Sequence, residues 1–155
     1  MNITYFVHGY LGLPIAGFLI SLFLPVKKEG ALSVLSYSTA FLQLLLVCLF
    51  TGFWIFQGAE PIQFKEISVY RSENYDFFID FLVDKLTLTY AFLGAALTFL
   101  ITIYSRYYLH RENGYKRFFS TIGLFYLGYN ITVLGGNFET LFLGWEILGI
   151  SSFLL

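Results

Sequence analysis

The chain has 155 residues, of which 57% are hydrophobic and only 12% charged, with a formal net charge of −1 and a mean hydropathy of +0.72. A soluble domain carries about 25% charged residues, so the composition excludes an ordinary soluble domain and points to a membrane protein. The near-zero charge gives no electrostatic footprint for nucleic acid. The lone Cys48 excludes a disulfide framework, and His8 and His110 lie too far apart for a zinc-type spacing.

Taken in order, the chain reads as an all-α integral membrane domain with about five spans. No Lys or Arg precedes Lys27, so neither a basic signal region nor an Arg-rich transit peptide is expected. The first apolar segment, 5–25, is therefore expected to be retained as a span. It contains Pro14, which a bundle tolerates when neighbours satisfy the freed carbonyl. A Lys27-Lys28-Glu29-Gly30 loop leads to a second span, 31–57, with Trp54 near its end as an interface anchor.

Residues 58–83 form the longest polar connection, with Glu60, Glu66, Glu73, Asp76 and Asp80. Within it, 64–71 alternates roughly with period two, which allows a short β-hairpin. The third span covers 84–104, with Asp84 as its N-cap and at the positive end of its dipole. A basic, aromatic loop from Arg106 to Arg117 holds His110 as an exposed or interface residue. The fourth span covers 118–135 and carries Asn130, expected to hydrogen-bond across helices. A Gly135-Gly136-Asn137 turn precedes a fifth segment, 138–155, short of the roughly 20 residues needed to cross. Lys and Arg concentrate in the first and third loops, which puts those loops in the cytoplasm or matrix and the N-terminus outside.

One carboxylate stands deep inside an apolar run. Glu146 lies about 12 Å into the fifth segment, in a core roughly 30 Å thick. A charge at that depth is costly and marks a functional-site hypothesis. Glu139, Phe142, Leu143, Gly149, Ile150 and Phe153 share its helical face, and Gly149 leaves room for a neighbouring helix or a water molecule. Burial raises a carboxyl pKa and a nearby cation lowers it, so a carboxylate between the two can take up and release a proton. A purely structural carboxylate bonded to a neighbouring helix is the competing reading. Apart from Lys85 at the very start of the third span, no Lys or Arg lies within the spans, so a charge partner would come from another helix. Asp80 and Asp84 are spaced i, i+4, where a cap or interface role outweighs acid–base work. Ser151 and Ser152 suit close helix packing. No phosphate loop, dinucleotide fingerprint or haem pattern is present.

The order Asp84-Lys-Leu-Thr-Leu-Thr, Ile103-Tyr-Ser-Arg-Tyr-Tyr-Leu, Gly114-Tyr-Lys-Arg-Phe-Phe and Leu143-Gly-Trp-Glu-Ile-Leu-Gly-Ile-Ser-Ser-Phe-Leu-Leu resembles the N-terminal region of the antiporter-like membrane subunits. It is most similar to chain 5 (chain L in bacteria) of respiratory complex I, NADH:quinone oxidoreductase. The resemblance is specific over residues 75–155, and 1–74 agree mainly in span layout. It implies a proton-translocating subunit of a large helical complex in a mitochondrial or bacterial inner membrane. Partners would be other membrane subunits and the bilayer. No cofactor or redox site is expected in this chain, whose place in catalysis would be as part of a translocase. It also implies that Glu146 of the Gly144-Trp145-Glu146 motif is a principal proton-channel residue, paired with a Lys on the family's seventh helix. Asp84, Asn130, Trp145 and Gly149 are candidates for structural roles.

The implied family fold has about fourteen or more helices, with two inverted repeats beginning at the fourth. The chain is thus expected to be an incomplete portion of that fold that does not pump alone. Where the complex I pattern continues Gly-Trp-Glu-Gly-Val-Gly, this chain has Ile147-Leu148-Gly149. Its ending also resembles the large subunit of multisubunit sodium/proton antiporters, and the same fold serves inorganic-carbon uptake. A transporter subunit without redox chemistry therefore stays open as the alternative.

Overall fold

A computed structural model describes residues 3–72 and 75–155; the expected polar residue Glu73 lies outside them. The order is α1 (Ile3–Phe23), α2 (Glu29–Phe56), β1 (Ile62–Ser72), β2 (Tyr75–Val83), α3 (Lys85–Tyr108), α4 (Tyr115–Leu134) and α5 (Phe138–Leu154). The chain is a mostly helical bundle with one two-stranded sheet. By length and composition, α1, α2 and α3 are apolar enough to cross a membrane. The helix α4 is the most central: it packs against each of the other four. That position explains its composition, since Tyr126, Asn130 and Thr132 face partners in the bundle.

The hairpin is longer than its short alternating stretch suggests. Its antiparallel register runs from Ile62 opposite Val83 to Ser72 opposite Tyr75, with irregularities between Lys65 and Ile67 and between Ser68 and Tyr70. Such bulges bend the ribbon and raise its twist, which blurs the period-two pattern in sequence. Lys65 Nζ donates to Asp76 Oδ2 at 2.5 Å. The hairpin caps one end of the bundle. Phe81 and Val83 enter a core with Phe6, Val7, Tyr10, Val47, Phe50, Leu88, Ala91 and Leu134, in which Phe6 stacks on Phe50.

Trp54 belongs to that core and is 4% exposed, with its indole N–H donating to the Glu60 carbonyl at 2.9 Å. It is a buried strut rather than an interface anchor, because the chain folds back over it through Gly58 and Ala59, both at positive φ. A second, smaller cluster of Leu32, Tyr115 and Phe119 closes the other end. There α3 runs to Tyr108 and α4 starts at Tyr115. The basic loop is therefore shorter than expected, and Arg106 is helical. Leu109 N bonds Ser105 O, ending the helix, and Arg111 takes positive φ in the turn.

Candidate functional site

The position of Glu146 follows from how α5 is anchored. Asn137 is its N-cap: Oδ1 accepts from Thr140 N at 2.9 Å, while Nδ2 donates to the Phe78 carbonyl at 2.8 Å. The Asp80 amide donates to Thr140 Oγ1 at 2.9 Å, and Gly136 N donates to the Asp80 carbonyl at 2.8 Å. Strand β2 thus holds the start of α5 through backbone and side chain together. The i, i+4 spacing of Asp80 and Asp84 is not a helical face. Asp80 is buried in β2, where it accepts from Gln63 Nε2, while Asp84 caps α3 and accepts from Thr87 N at 2.8 Å.

Beyond its cap, α5 lies against α4 at backbone distance. A Cβ on Gly144 would sit 2.5 Å from Thr132 N. One on Gly128 would sit 2.8 Å from Leu148 N and 3.0 Å from Gly144 O. Small residues at such crossings let helices approach where lipid supplies no hydrophobic drive. Thr140, Gly144 and Ser151 are the buried residues of α5, and spacings of four and seven place them on one stripe. Glu146 is two residues from Gly144, about 200° around the helix. The close crossing therefore turns its carboxylate outward.

Glu146 is exposed at the centre of α5. Around it Phe142, Leu143, Ile150 and Phe153 are also exposed. A Cβ on Gly149 would meet nothing within 4 Å, so the space beside the carboxylate is open. Trp145, 59% exposed, projects from the same side. Among the described residues none makes a hydrogen bond or ion pair with Glu146.

Asn130 is elsewhere, fully buried in the bundle. Its Nδ2 donates to Gln43 Oε1 at 3.2 Å, and its Oδ1 has no partner among the described residues. Gln43 Nε2 in turn donates to the Tyr10 carbonyl at 2.5 Å. Tyr10 is four residues before Pro14, whose ring nitrogen has no proton to give it. Gln43 of α2 supplies the missing donor. The Tyr10 hydroxyl lies 3.3 Å from the Tyr126 hydroxyl and 3.3 Å from the Ala91 carbonyl, so four helices share one polar line. Glu146 does not join it. Gln43, Tyr10 and Asn137 escape a reading by residue type, although Pro14 marks Tyr10 in advance as a carbonyl in need of a donor. Of the histidines, His8 Nε2 lies 2.5 Å from Glu66 Oε1, and His110 Nδ1 lies 2.9 Å from Glu29 Oε2.

Residues 70–119 match the family described as NADH-ubiquinone oxidoreductase (complex I), chain 5 N-terminus. NADH-quinone oxidoreductase subunit L of Buchnera aphidicola subsp. Schizaphis graminum is 29% identical over 156 residues, covering 100% of this chain and 25% of that protein. Subunit L of Escherichia coli strain K12 is 32% identical over 146 residues, covering 92% of this chain and 24% of that one. NADH-ubiquinone oxidoreductase chain 5 of Yarrowia lipolytica is 32% identical over 95 residues, covering 61% and 14%. The chain spans about a quarter of the length of the first of these relatives. In fold it is similar to a chain of the membrane-bound sulfane sulfur reductase, an archaeal respiratory membrane complex. The TM-score there is 0.71 at 16% identity, over 96% of this chain and 29% of that one. By sequence, then, the chain is similar to complex I chain 5 and subunit L, and residues 70–119 carry the match to the chain 5 N-terminus.

Proposed function

We propose that this chain is the N-terminal portion of a proton-translocating subunit of an NADH:quinone oxidoreductase, with Glu146 as a proton carrier. The setting is a multi-pass bacterial or mitochondrial inner-membrane subunit among other membrane subunits. The observation that carries the reading is the outward carboxylate at mid-helix, on a face that no other part of the described chain covers. A charged group there costs about 2.5–3.5 kcal/mol against hydrocarbon. A partner helix bringing a cation and water removes that cost and gives the carboxylate a proton acceptor and donor in turn. Redox chemistry sits in other subunits, and electron transfer biases Glu146 through the charge of its partner. The names of the relatives and the matching family support the redox-driven reading.

The test is Glu146→Gln in the intact assembly, with protons moved per electron as the readout. Gln keeps the volume and hydrogen bonding but cannot exchange a proton at neutral pH. The ratio is expected to fall while the complex still assembles, with Glu146→Asp retaining part of it. An undiminished ratio in Glu146→Gln would sink the assignment.

A further inference from the structure

The seam between α2 and α3 opens at one end into an apolar groove of about 550 Å³, lined by Tyr37, Phe41, Leu42, Phe99, Ile103 and Arg106 among others. Arg106 is the one charged residue of its lining. It is half-buried, its guanidinium lies 5.8 Å from the ring centres of both Tyr37 and Tyr107, and among the described residues it makes no ion pair. On that side Glu29 is engaged by His110 and by the Arg111 amide. This end of the molecule is basic. Segments 24–30 and 106–117 together hold Lys27, Lys28, Arg106, Arg111, Lys116 and Arg117 against Glu29 and Glu112.

We infer that this groove binds one anionic phospholipid, its phosphate held by Arg106 and one acyl chain lying along Phe41, Leu42, Phe99 and Ile103. The charge pattern selects this occupant. A guanidinium oriented by two aromatic rings presents a planar fork that fits phosphate oxygens. It stands where an apolar trough meets a basic membrane edge, and basic pockets between helices at such edges take anionic headgroups. The opposite end of the same seam makes the contrast. There a groove of about 670 Å³ carries Lys85, but Lys85 follows Asp84 in a region that also holds Glu60, Glu66, Asp76 and Asp80. That surroundings disfavours an anion. The inference does not depend on the role of Glu146.

The experiment uses the intact chain, delipidated in detergent and exposed to micelles holding equal phosphatidylglycerol and phosphatidylcholine. Retained lipid is counted by native mass spectrometry. One phosphatidylglycerol is expected to be retained in preference to phosphatidylcholine by about fivefold, the worth of one well-placed cation. Arg106→Gln should abolish the preference, Arg106→Lys should keep only part of it because the charge stays while the planar fork is lost, and Lys85→Gln should leave it unchanged. Ile103→Trp, which fills the trough, should lose both lipids. Unaltered helix content and melting of each variant establish that the fold is intact. Equal retention of the two lipids by the natural chain overturns the inference. So does a preference that survives Arg106→Gln or falls as much in Lys85→Gln. Binding of inorganic phosphate alone, with no lipid kept, would make this a free-anion site and overturn it too. In the assembled complex, crosslinking of Ile103 to another protein helix rather than to lipid has the same force.

Discussion

Pro14 is a residue whose effect reaches beyond its own helix. Its missing N–H leaves the Tyr10 carbonyl open inside a membrane bundle, and Gln43 closes it at 2.5 Å while also accepting from Asn130. Polar contacts between membrane helices average only about 0.6 kcal/mol, because the separated helices find other partners. Here the Tyr10 carbonyl has no intrahelical alternative, so the larger cost of an unsatisfied buried group applies. Gln43→Leu is expected to destabilise the chain by about 2 kcal/mol, read from unfolding in detergent. Pro14→Ala returns an intrahelical donor, so in that background Gln43→Leu should cost about 1 kcal/mol less. Equal costs in both backgrounds would show that Gln43 acts through packing alone. The need for a donor near Pro14 is legible in sequence. Its identity is not, since Gln43 is one of several polar residues on α2 and only the α1–α2 packing selects it.

At the scale of elements, the hairpin and the α4–α5 pair respond to different insults. In the hairpin, the hydrogen bond from Lys65 holds the Asp76 carboxyl below its usual range. A carboxyl whose folded pKa is depressed stabilises the fold above its unfolded pKa of about 3.9, and that contribution is lost as pH falls through the folded value. Hydrogen exchange of hairpin amides should therefore accelerate, relative to its intrinsic pH trend, as pH drops below about 4. Asp76→Asn should remove the pH-dependent part and leave a constant, weaker hairpin. An identical pH response in Asp76→Asn would exclude the pair as its source.

The α4–α5 crossing depends on backbone contact instead. Gly144→Ala forces a methyl against Thr132 and should cost more than about 2 kcal/mol, with α5 leaving its seat, measured by loss of a Cys–Cys crosslink engineered across the crossing. Asn137→Ala removes both the cap and the tie to Phe78, so it should exceed the roughly 1 kcal/mol of an isolated cap such as Asp84→Ala. Helix existence was readable from hydropathy, and Asp84 as a cap from its place before an apolar run. The cap role of Asn137 was hidden inside a Gly-Gly-Asn turn. The reach of α3 to Tyr108 was hidden because Arg106 and the tyrosines after it look like loop while forming helix.

For the whole molecule, the decisive asymmetry lies between the two sides of α5. One side is fixed to α4 so tightly that glycine is required. The other holds Phe142, Glu146, Gly149 and Ile150 with nothing against them. Exposed Phe and Ile alone would suit lipid, so they carry no inference. Glu146 changes this, because the penalty of a carboxylate in hydrocarbon is several times what the apolar neighbours can return by contact with acyl chains. Such a face calls for a protein cover with polar groups, and Gly149 leaves the space for it beside the carboxylate. Gly149→Trp separates the cases. In this chain by itself a Cβ there meets nothing within 4 Å and the position is exposed, so the unfolding stability should stay within about 0.5 kcal/mol of the natural one. In the complete complex the same ring occupies the space of the covering helix. Assembly on a native gel should fall, and protons per electron should fall in whatever complex remains. Normal assembly with a full proton ratio would mean that the Glu146 face meets lipid, and the proton-carrier assignment would fall with it. An effect confined to the complex would instead place the second half of the site on the segment that packs against α5.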